Sequence, residues 1–520
     1  MGIKRFSRPA PNKKRPWLTV VLIACGLAYS LFLLNHVQDE VFYSGDGGLK
    51  ALLVKQFARG EIRASLEIPA PEWVENLWRA GFYPFQPPFV FQLPAGSFLA
   101  FPIFFPLLSV PFFKLLGYKG LYILPTLFLW ALWFRFLFLA RKLGFQEKTR
   151  SLSLAVLAFG TPLTIYGAIF WEHTLGVFLA FCGLEFLIDK GRKASSPISF
   201  FWGILTGLAV WIRSEAVCLV AVYCLIGLYF FFKSFRSSWL YFFLGSITSG
   251  ALLMAVNMAL YGHPFGVHSF QVIGDNPGKR LFLSSEIFLS SIRGLLQYSP
   301  VLIFVILALA ANYFWRKKKT SLSLPVSSLL FIGTTFLLLA PFTLPNIGGR
   351  QWGPRYFLVL LPIFILLAAY FLELIFASEK KFQKFTLLAV FFITSFFGIY
   401  KNSILGTEQL VDNYRHRIKP ALDFVRQNKN DCVIVNHQYI AQELEAAFDS
   451  KHFFCLSTGS QLPFLVSKIQ ERGYSHCLFI SYRRLKIGLL PGEFPLVDIQ
   501  SHFLARYGDY DLYEWEFIPK

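Results

Sequence analysis

Apolar runs of about twenty residues, separated by short basic loops, recur along this chain from Trp17 to Lys401. Runs of that length are what an α-helix needs to cross a bilayer. The composition agrees: 55% of the 520 residues are hydrophobic, 18% are aromatic and only 15% are charged. An ordinary soluble domain carries far more charge. The chain therefore reads as a polytopic α-helical membrane protein. Its net charge of +20 would suggest a nucleic-acid partner in a soluble chain. Here the Lys and Arg residues cluster between apolar runs, so they set orientation in the membrane, and no nucleic-acid partner is expected. The seven cysteines are scattered without a CxxC pair, which gives no zinc-site spacing.

The same rule fixes a topology. Lys4, Arg5, Arg8, Lys13, Lys14 and Arg15 precede the run Trp17 to Leu34. That run is too long for a signal-peptide core and lacks a small-residue cleavage site, so it is expected to stay as a first helix with its basic end in the cytoplasm. Residues 36 to about 118 then lie outside. Within them the run from Phe98 to Leu116 carries Pro102, Pro106 and Pro111, which argues for re-entrant or surface-lying helices rather than a span. Further spans are expected at 119–140, 151–170, 174–189, 238–261, 300–315, 326–344, 357–377 and 385–401. The run 198–232 is too long for one span and is expected to break at Arg213-Ser214-Glu215. The total is about eleven spans, with every cytoplasmic loop basic, the N-terminus inside and the C-terminus outside. The location implied is the cell's inner (plasma) membrane.

From about 405 the pattern becomes that of a soluble domain. Strands are expected at 431–435, 453–456 and 477–481, with helical stretches at 438–449 and 461–472 between them. Alternating strands and helices predict a small extracytoplasmic α/β domain over 405–520, after a transmembrane domain over 1–404. Cys432, Cys455 and Cys477 fall in or beside these strands, where packing is favoured over a disulfide.

Sorted by side, the ionisable residues outside and near the membrane are Asp39, Glu40, Asp46, Glu172, His173, Arg213, Glu215, His263, His268, Lys279, Arg280, Arg350 and Arg355. Charges at a membrane are costly and mark function by default. Asp46 lies in a glycine-flanked turn that opens a helix; Leu49, Leu52, Leu53 and Phe57 form its apolar stripe, with Lys50, Lys55 and Arg59 on other faces. That pattern predicts an amphipathic helix at the membrane surface, and a competing reading makes Asp46 only its N-cap. Glu172-His173 could equally be an interfacial cap beside Trp171, and Arg213 and Glu215 could simply neutralise one another. Arg350 and Arg355 could hold lipid headgroups nonspecifically, and Lys279-Arg280 suits a solvated loop. Together the set has a definite chemistry. A carboxylate can take the proton of an acceptor hydroxyl, and arginines can hold a phosphate and stabilise charge developing on it. An acidic pair can also hold a divalent cation, for which Asp46 and Glu172 are the candidates. This combination suits sugar transfer from a membrane-embedded phospholipid carrier.

Three short pieces carry a family resemblance: Ser44-Gly45-Asp46-Gly47-Gly48-Leu49-Lys50, Trp171-Glu172-His173 and Trp352-Gly353-Pro354-Arg355-Tyr356. In their order and sidedness, over residues 15–400, the chain resembles GT-C glycosyltransferases of the protein O-mannosyltransferase and aminoarabinose-transferase type. The resemblance implies a polyprenyl-phosphate sugar donor, transfer on the extracytoplasmic face to a glycan, lipid or protein, and usually inversion at the anomeric carbon. It places Asp46 at the catalytic acidic position and Glu172 near the second, metal- or substrate-associated one. Asp39 and Glu40 become supporting acids, while Lys50, His173, Arg213, Arg350 and Arg355 become ligands of the lipid phosphate or substrate. The chain departs from the family where an acidic pair is replaced by Asp46-Gly47 and a His-Pro-Pro by Gln86-Pro87-Pro88. Two other classes remain: a flippase for lipid-linked sugars, which would favour internal repeats that this chain lacks, and a member that only scaffolds an envelope complex.

Overall fold

The computed structural model describes residues 17–191, 194–271, 294–315, 324–339, 349–483 and 499–518. The expectations for Lys279 and Arg280 lie outside the described residues. Packing divides the chain into two compact units. One comprises the chain to Leu34 together with Tyr122–Glu408; the other joins Asn35–Leu121 to Gln409–Lys520. The external loop expected at 36–118 thus folds with the C-terminal segment rather than with the helices that flank it in sequence.

The first unit is helical. A helix falls in each of the expected apolar stretches, including Trp17–Leu34, Ile123–Lys142, His173–Glu185, Ser237–Tyr261, Leu361–Phe376 and Lys381–Ile399. Among the described residues, six helical segments are long and apolar enough to cross a membrane: Trp17–Leu34, Phe104–Lys142, Ala216–Ser234, Ser237–Tyr261, Arg355–Phe376 and Lys381–Gln427. Ser196–Ile212, Val301–Asn312 and Val326–Leu339 are apolar but shorter. The run 198–232 breaks at the expected place, into Ser196–Ile212 and Ala216–Ser234. Small residues let helices approach closely where no hydrophobic effect drives them together. The seam between Ser196–Ile212 and Ser237–Tyr261 shows it: a Cβ on Gly203 would lie 2.2 Å from the carbonyl oxygen of Phe242.

The second unit is built on a five-stranded sheet. Three of its strands are those expected: β3 (Cys432–Val435), β4 (His452–Cys455) and β5 (His476–Tyr482), after a separate hairpin of β1 (Val90–Leu93) and β2 (Gly96–Leu99). Two more, β6 (Ile499–Tyr507) and β7 (Tyr510–Phe517), complete the order β4-β3-β5-β7-β6. β3 runs parallel to β4 and β5, and β7 runs antiparallel to β5 and β6. Cys432, Cys455 and Cys477 are buried in these strands as free thiols.

The proline-bearing run forms a helix, Phe104–Leu116, with Pro111 inside it, and it packs in this unit against the helix Gly45–Ala58. That second helix departs from expectation. It is not an amphipathic surface helix, because 12 of its 14 residues are buried. Of the basic residues on its other faces, Lys50 and Lys55 are taken up internally, while Arg59 is exposed. Lys50 is 2% exposed with its Nζ 4.6 Å from the Phe101 ring centroid, and Lys55 pairs with Glu445 and Asp449 at 3.3 and 3.2 Å. Its amino end lies against the short helix Gln438–Glu443 of the C-terminal segment. Only glycine permits this approach. A Cβ on Gly48 would fall 1.9 Å from the Gln442 carbonyl oxygen, and one on Gly45 would fall 2.3 Å from Gln442 Oε1. Backbone cannot give way as a side-chain tip can, so Gly48→Ala should destabilise this unit by about 3 kcal/mol or more. Chemical unfolding of the purified variant would show it, and an unchanged midpoint would mean that the two helices separate freely.

Candidate functional site

In the second unit the helix Gly45–Ala58 is preceded by Ser44, which adopts the extended N-cap conformation at φ −156° and ψ 166°. The capping position therefore belongs to Ser44, and Asp46 is the second residue of the helix. This removes the reading of Asp46 as an N-cap. A carboxylate in the first turn still gains from the helix dipole, and at 8% exposure Asp46 is held in a fixed place. Glycines on both sides keep that turn against Gln442.

The other two carboxylates of the segment go elsewhere. Asp39 is exposed. Glu40, in the left-handed region at φ 66°, is paired with Arg426, whose guanidinium holds the carboxyl below its ordinary range. Glu40 thereby ties the segment to the helix Lys419–Gln427.

A buried carboxylate that sequence reasoning did not single out lies behind the same helix. Glu445 is fully buried, and burial pushes its carboxyl up from 4.5 to about 7 despite Lys55 at 3.3 Å and the Tyr118 hydroxyl donating at 3.3 Å. The sign follows from linkage. The folded state holds a proton that the unfolded chain releases near 4.5, so the contribution is fully present below pH 4.5. It is lost as pH rises to about 7, and it is worth on the order of 3 kcal/mol. Glu445→Gln should therefore flatten the fall in unfolding temperature between pH 4.5 and 7 relative to the parent. Parallel pH profiles of the two proteins would show that Glu445 is ionised throughout.

In the first unit three separated pieces of sequence converge. Glu172 caps the helix His173–Glu185 at 2% exposure. Arg213 ends the helix Ser196–Ile212 and donates from Nη1 to Glu172 Oε1 at 2.8 Å, and from Nη2 to Glu215. Arg213 also lies over the Tyr356 ring at 5.7 Å. Arg355 covers the same ring at 4.8 Å and the Trp171 ring at 5.5 Å. The expected neutralisation of Arg213 by Glu215 is present, but Glu172 is drawn into it, leaving two carboxylates on one guanidinium. His173 is buried between rings, 4.8 Å from Tyr166 and 5.0 Å from Trp171 by centroid. Arg350 is half-buried in the bend that opens the Trp352-Tyr356 segment. His263 bonds to Ser269 at 3.2 Å within its own loop, and His268 lies in the same loop.

That segment is anchored by a residue the sequence did not flag. Asn402 Oδ1 accepts from Trp352 Nε1 at 3.1 Å, while its Nδ2 donates toward the carbonyls of Gly160, Tyr298 and Gly398 at 3.1, 2.8 and 2.9 Å. Neighbouring Lys401 lies 4.8 Å over Tyr298 and 5.4 Å over Trp352. A lone Asn at the end of an apolar run was the available signal.

Among the described residues no group of three or more His, Cys, Asp or Glu is gathered to hold a metal. Glu172 turns an oxygen to a guanidinium, which a cation would have to displace.

No family model matches the sequence, and no curated protein sequence does. Solved structures do. The crystal structure of ArnT from Cupriavidus metallidurans bound to undecaprenyl phosphate aligns with a TM-score of 0.55 at 11% identity, over 96% of this chain and 98% of that one. The chain has the ArnT fold. The apo state of ArnT gives a TM-score of 0.54 at 11% identity, over 95% and 97% of the two chains. Arabinofuranosyltransferase AftD from Mycobacteria aligns at 0.48 and 15% identity, over 96% of this chain and 40% of that one. ArnT, an aminoarabinose transferase, is a GT-C glycosyltransferase. The resemblance drawn from the Asp46, Glu172 and Arg355 segments is thus matched by the fold of nearly the whole chain.

Proposed function

We propose that this protein is a GT-C glycosyltransferase of the inner membrane. In this reading it moves a sugar from a polyprenyl-phosphate carrier to a glycan, lipid or protein of the envelope, on the extracytoplasmic face and with inversion. The observation that carries the reading is the ArnT fold over 96% of the chain, in a structure where ArnT holds undecaprenyl phosphate. The basic loops support about eleven spans with the N-terminus in the cytoplasm and the C-terminal segment outside.

Asp46 takes the proton from the acceptor hydroxyl as its oxygen attacks the anomeric carbon. The carrier phosphate leaves with the bonding electrons and needs no general acid. Arg350 and Arg355 hold that phosphate; Arg355 is kept in place by Trp171 and Tyr356. Arg213 is committed to two carboxylates, so its part is to orient Glu172 toward the substrate. Lys50, against the Phe101 ring, and His173, beside Tyr166 and Trp171, support the positions of the helices that carry Asp46 and Glu172. No step is routed through a metal.

The purified protein, given undecaprenyl-phosphate-linked sugars and an envelope extract, should yield a glycosylated product detectable by mass spectrometry. Carrier-linked sugar that crosses liposomes without covalent transfer would replace this reading with transport.

A further inference from the structure

At one end of the first unit three helices leave a crevice between them. Val301–Trp315 and Leu361–Phe376 both finish there, and Lys381–Ile399 begins there. The crevice holds about 170 Å³, room for roughly six waters, and is partly open to the outside. Small side chains make the space. Ala308 and Ala311, spaced to share a face, line it in a run built mostly of Leu, Ile, Val and Phe. Toward the helix ends the lining is polar, with Asn312, Ser378, Gln383 and Lys384. One or two turns further along the helices it is apolar, with Phe371 and Leu387.

Lys384 gives the crevice its charge. Its Nζ donates to the Phe376 carbonyl at 2.9 Å, which uses one of three protons. No acid lines the crevice: Glu373 accepts from the Gln146 N–H at 2.5 Å, and Glu379 is exposed. The surroundings add positive charge, since Lys380 and Lys381 are exposed and Lys148 lies 3.6 Å over the Phe376 ring. A lysine placed only to cap Leu361–Phe376 would need neither the open space nor the polar groups beside it. An ammonium with protons to spare, next to two amides and a hydroxyl over an apolar floor, suits an anion joined to hydrocarbon. Lysine is a point-charge ligand of phosphate. The helix Lys381–Ile399 also carries Phe385, Phe392 and Phe396 exposed on one face, which a bilayer would cover, so lipid is the nearest source of such an anion. On the basic-loop topology this end faces the cytoplasm, where basic clefts between spans take acidic headgroups. We propose that this crevice binds the phosphate of an acidic phospholipid, with Lys384 as its charged contact. The site rests on the membrane-spanning reading and is independent of the glycosyltransferase one.

The test measures lipid binding to the full-length protein in neutral detergent by native mass spectrometry. The probes are phosphatidylglycerol, phosphatidylcholine with the same chains, and glycerol 3-phosphate. Phosphatidylglycerol should bind about fivefold or more tightly than phosphatidylcholine. Lys384→Gln keeps a donor for the Phe376 carbonyl but loses the charge. It should weaken phosphatidylglycerol about tenfold, as expected for one charge-assisted hydrogen bond. Ala311→Leu leaves Lys384 in place and fills the crevice, so it should weaken binding too, and it decides alone if Lys384→Gln fails to fold. Lys381→Gln, on the same helix but exposed and outside the crevice, should change binding by less than about twofold. Equal binding of the two lipids, parent-like binding by Ala311→Leu and Lys384→Gln, or an equal loss in Lys381→Gln would reduce the effect to a diffuse attraction by basic loops and overturn the proposal. Glycerol 3-phosphate binding as tightly as phosphatidylglycerol would overturn it too, by making the ligand a free phosphate.

Discussion

Asp46→Asn should reduce sugar transfer by about 10²- to 10⁴-fold, the range associated with a positioned general base. Binding of undecaprenyl phosphate and the unfolding temperature should hardly move. The substitution keeps the shape of the side chain in a buried first turn, so packing against the Gln438–Glu443 helix survives. It removes only the charge, and with it the favourable interaction with the helix amino terminus, worth about 0.3–1 kcal/mol. The neighbouring acids supply the controls. Asp39→Asn should be silent, since that side chain is exposed. Glu40→Gln should cost some stability through its lost pairing with Arg426, yet leave the rate of transfer per folded molecule unchanged. Undiminished transfer by Asp46→Asn would remove Asp46 from the mechanism, whatever the fold suggests.

The helical layout was legible because it follows from one-dimensional rules. Runs of apolar residues, basic loops and the Arg213-Ser214-Glu215 break required no tertiary knowledge. β3, β4 and β5 were legible too, since β3 is an uninterrupted apolar run and completely buried. β6 was not: its burial alternates irregularly and much of it is exposed, so it carries little apolar signal. The Gly45–Ala58 helix misled for a physical reason. Lysines off its apolar stripe read as the polar side of a surface helix, but Lys50 meets an aromatic ring and Lys55 meets two carboxylates from residues almost four hundred positions later. Long-range pairing of that kind leaves no local trace. The glycines of Gly45-Asp46-Gly47-Gly48 were visible, but their purpose was not. The lack of side chains at Gly45 and Gly48 admits Gln442 and Glu445, and neither residue belongs to any recognisable motif. Glu172, Arg213 and Arg355 of the first unit were easier to single out, because they stand out as charges in apolar surroundings. Their partners could not be read: Arg213 serves Glu172 as well as Glu215, and Asn402 holds Trp352.

Arg213→Met should be the most damaging substitution in the helical unit. Arg213, Glu172 and Glu215 side chains are 12%, 2% and 6% exposed, so removing the guanidinium strands two carboxylates away from water. Breaking a buried ion pair from one side costs about 3–5 kcal/mol, and here two acids lose the guanidinium they share. A loss of folded protein at the membrane, measured by fluorescence-detected size exclusion, is the expected result. Adding Glu172→Gln and Glu215→Gln to Arg213→Met should recover much of that stability, because neutral amides need no counter-charge. Transfer should not recover with it if Glu172 touches the substrate. The triple variant thus separates the two roles that the single variant confounds. Folded but inactive protein assigns Glu172 to the reaction, whereas activity restored along with folding would make the trio a structural clamp alone.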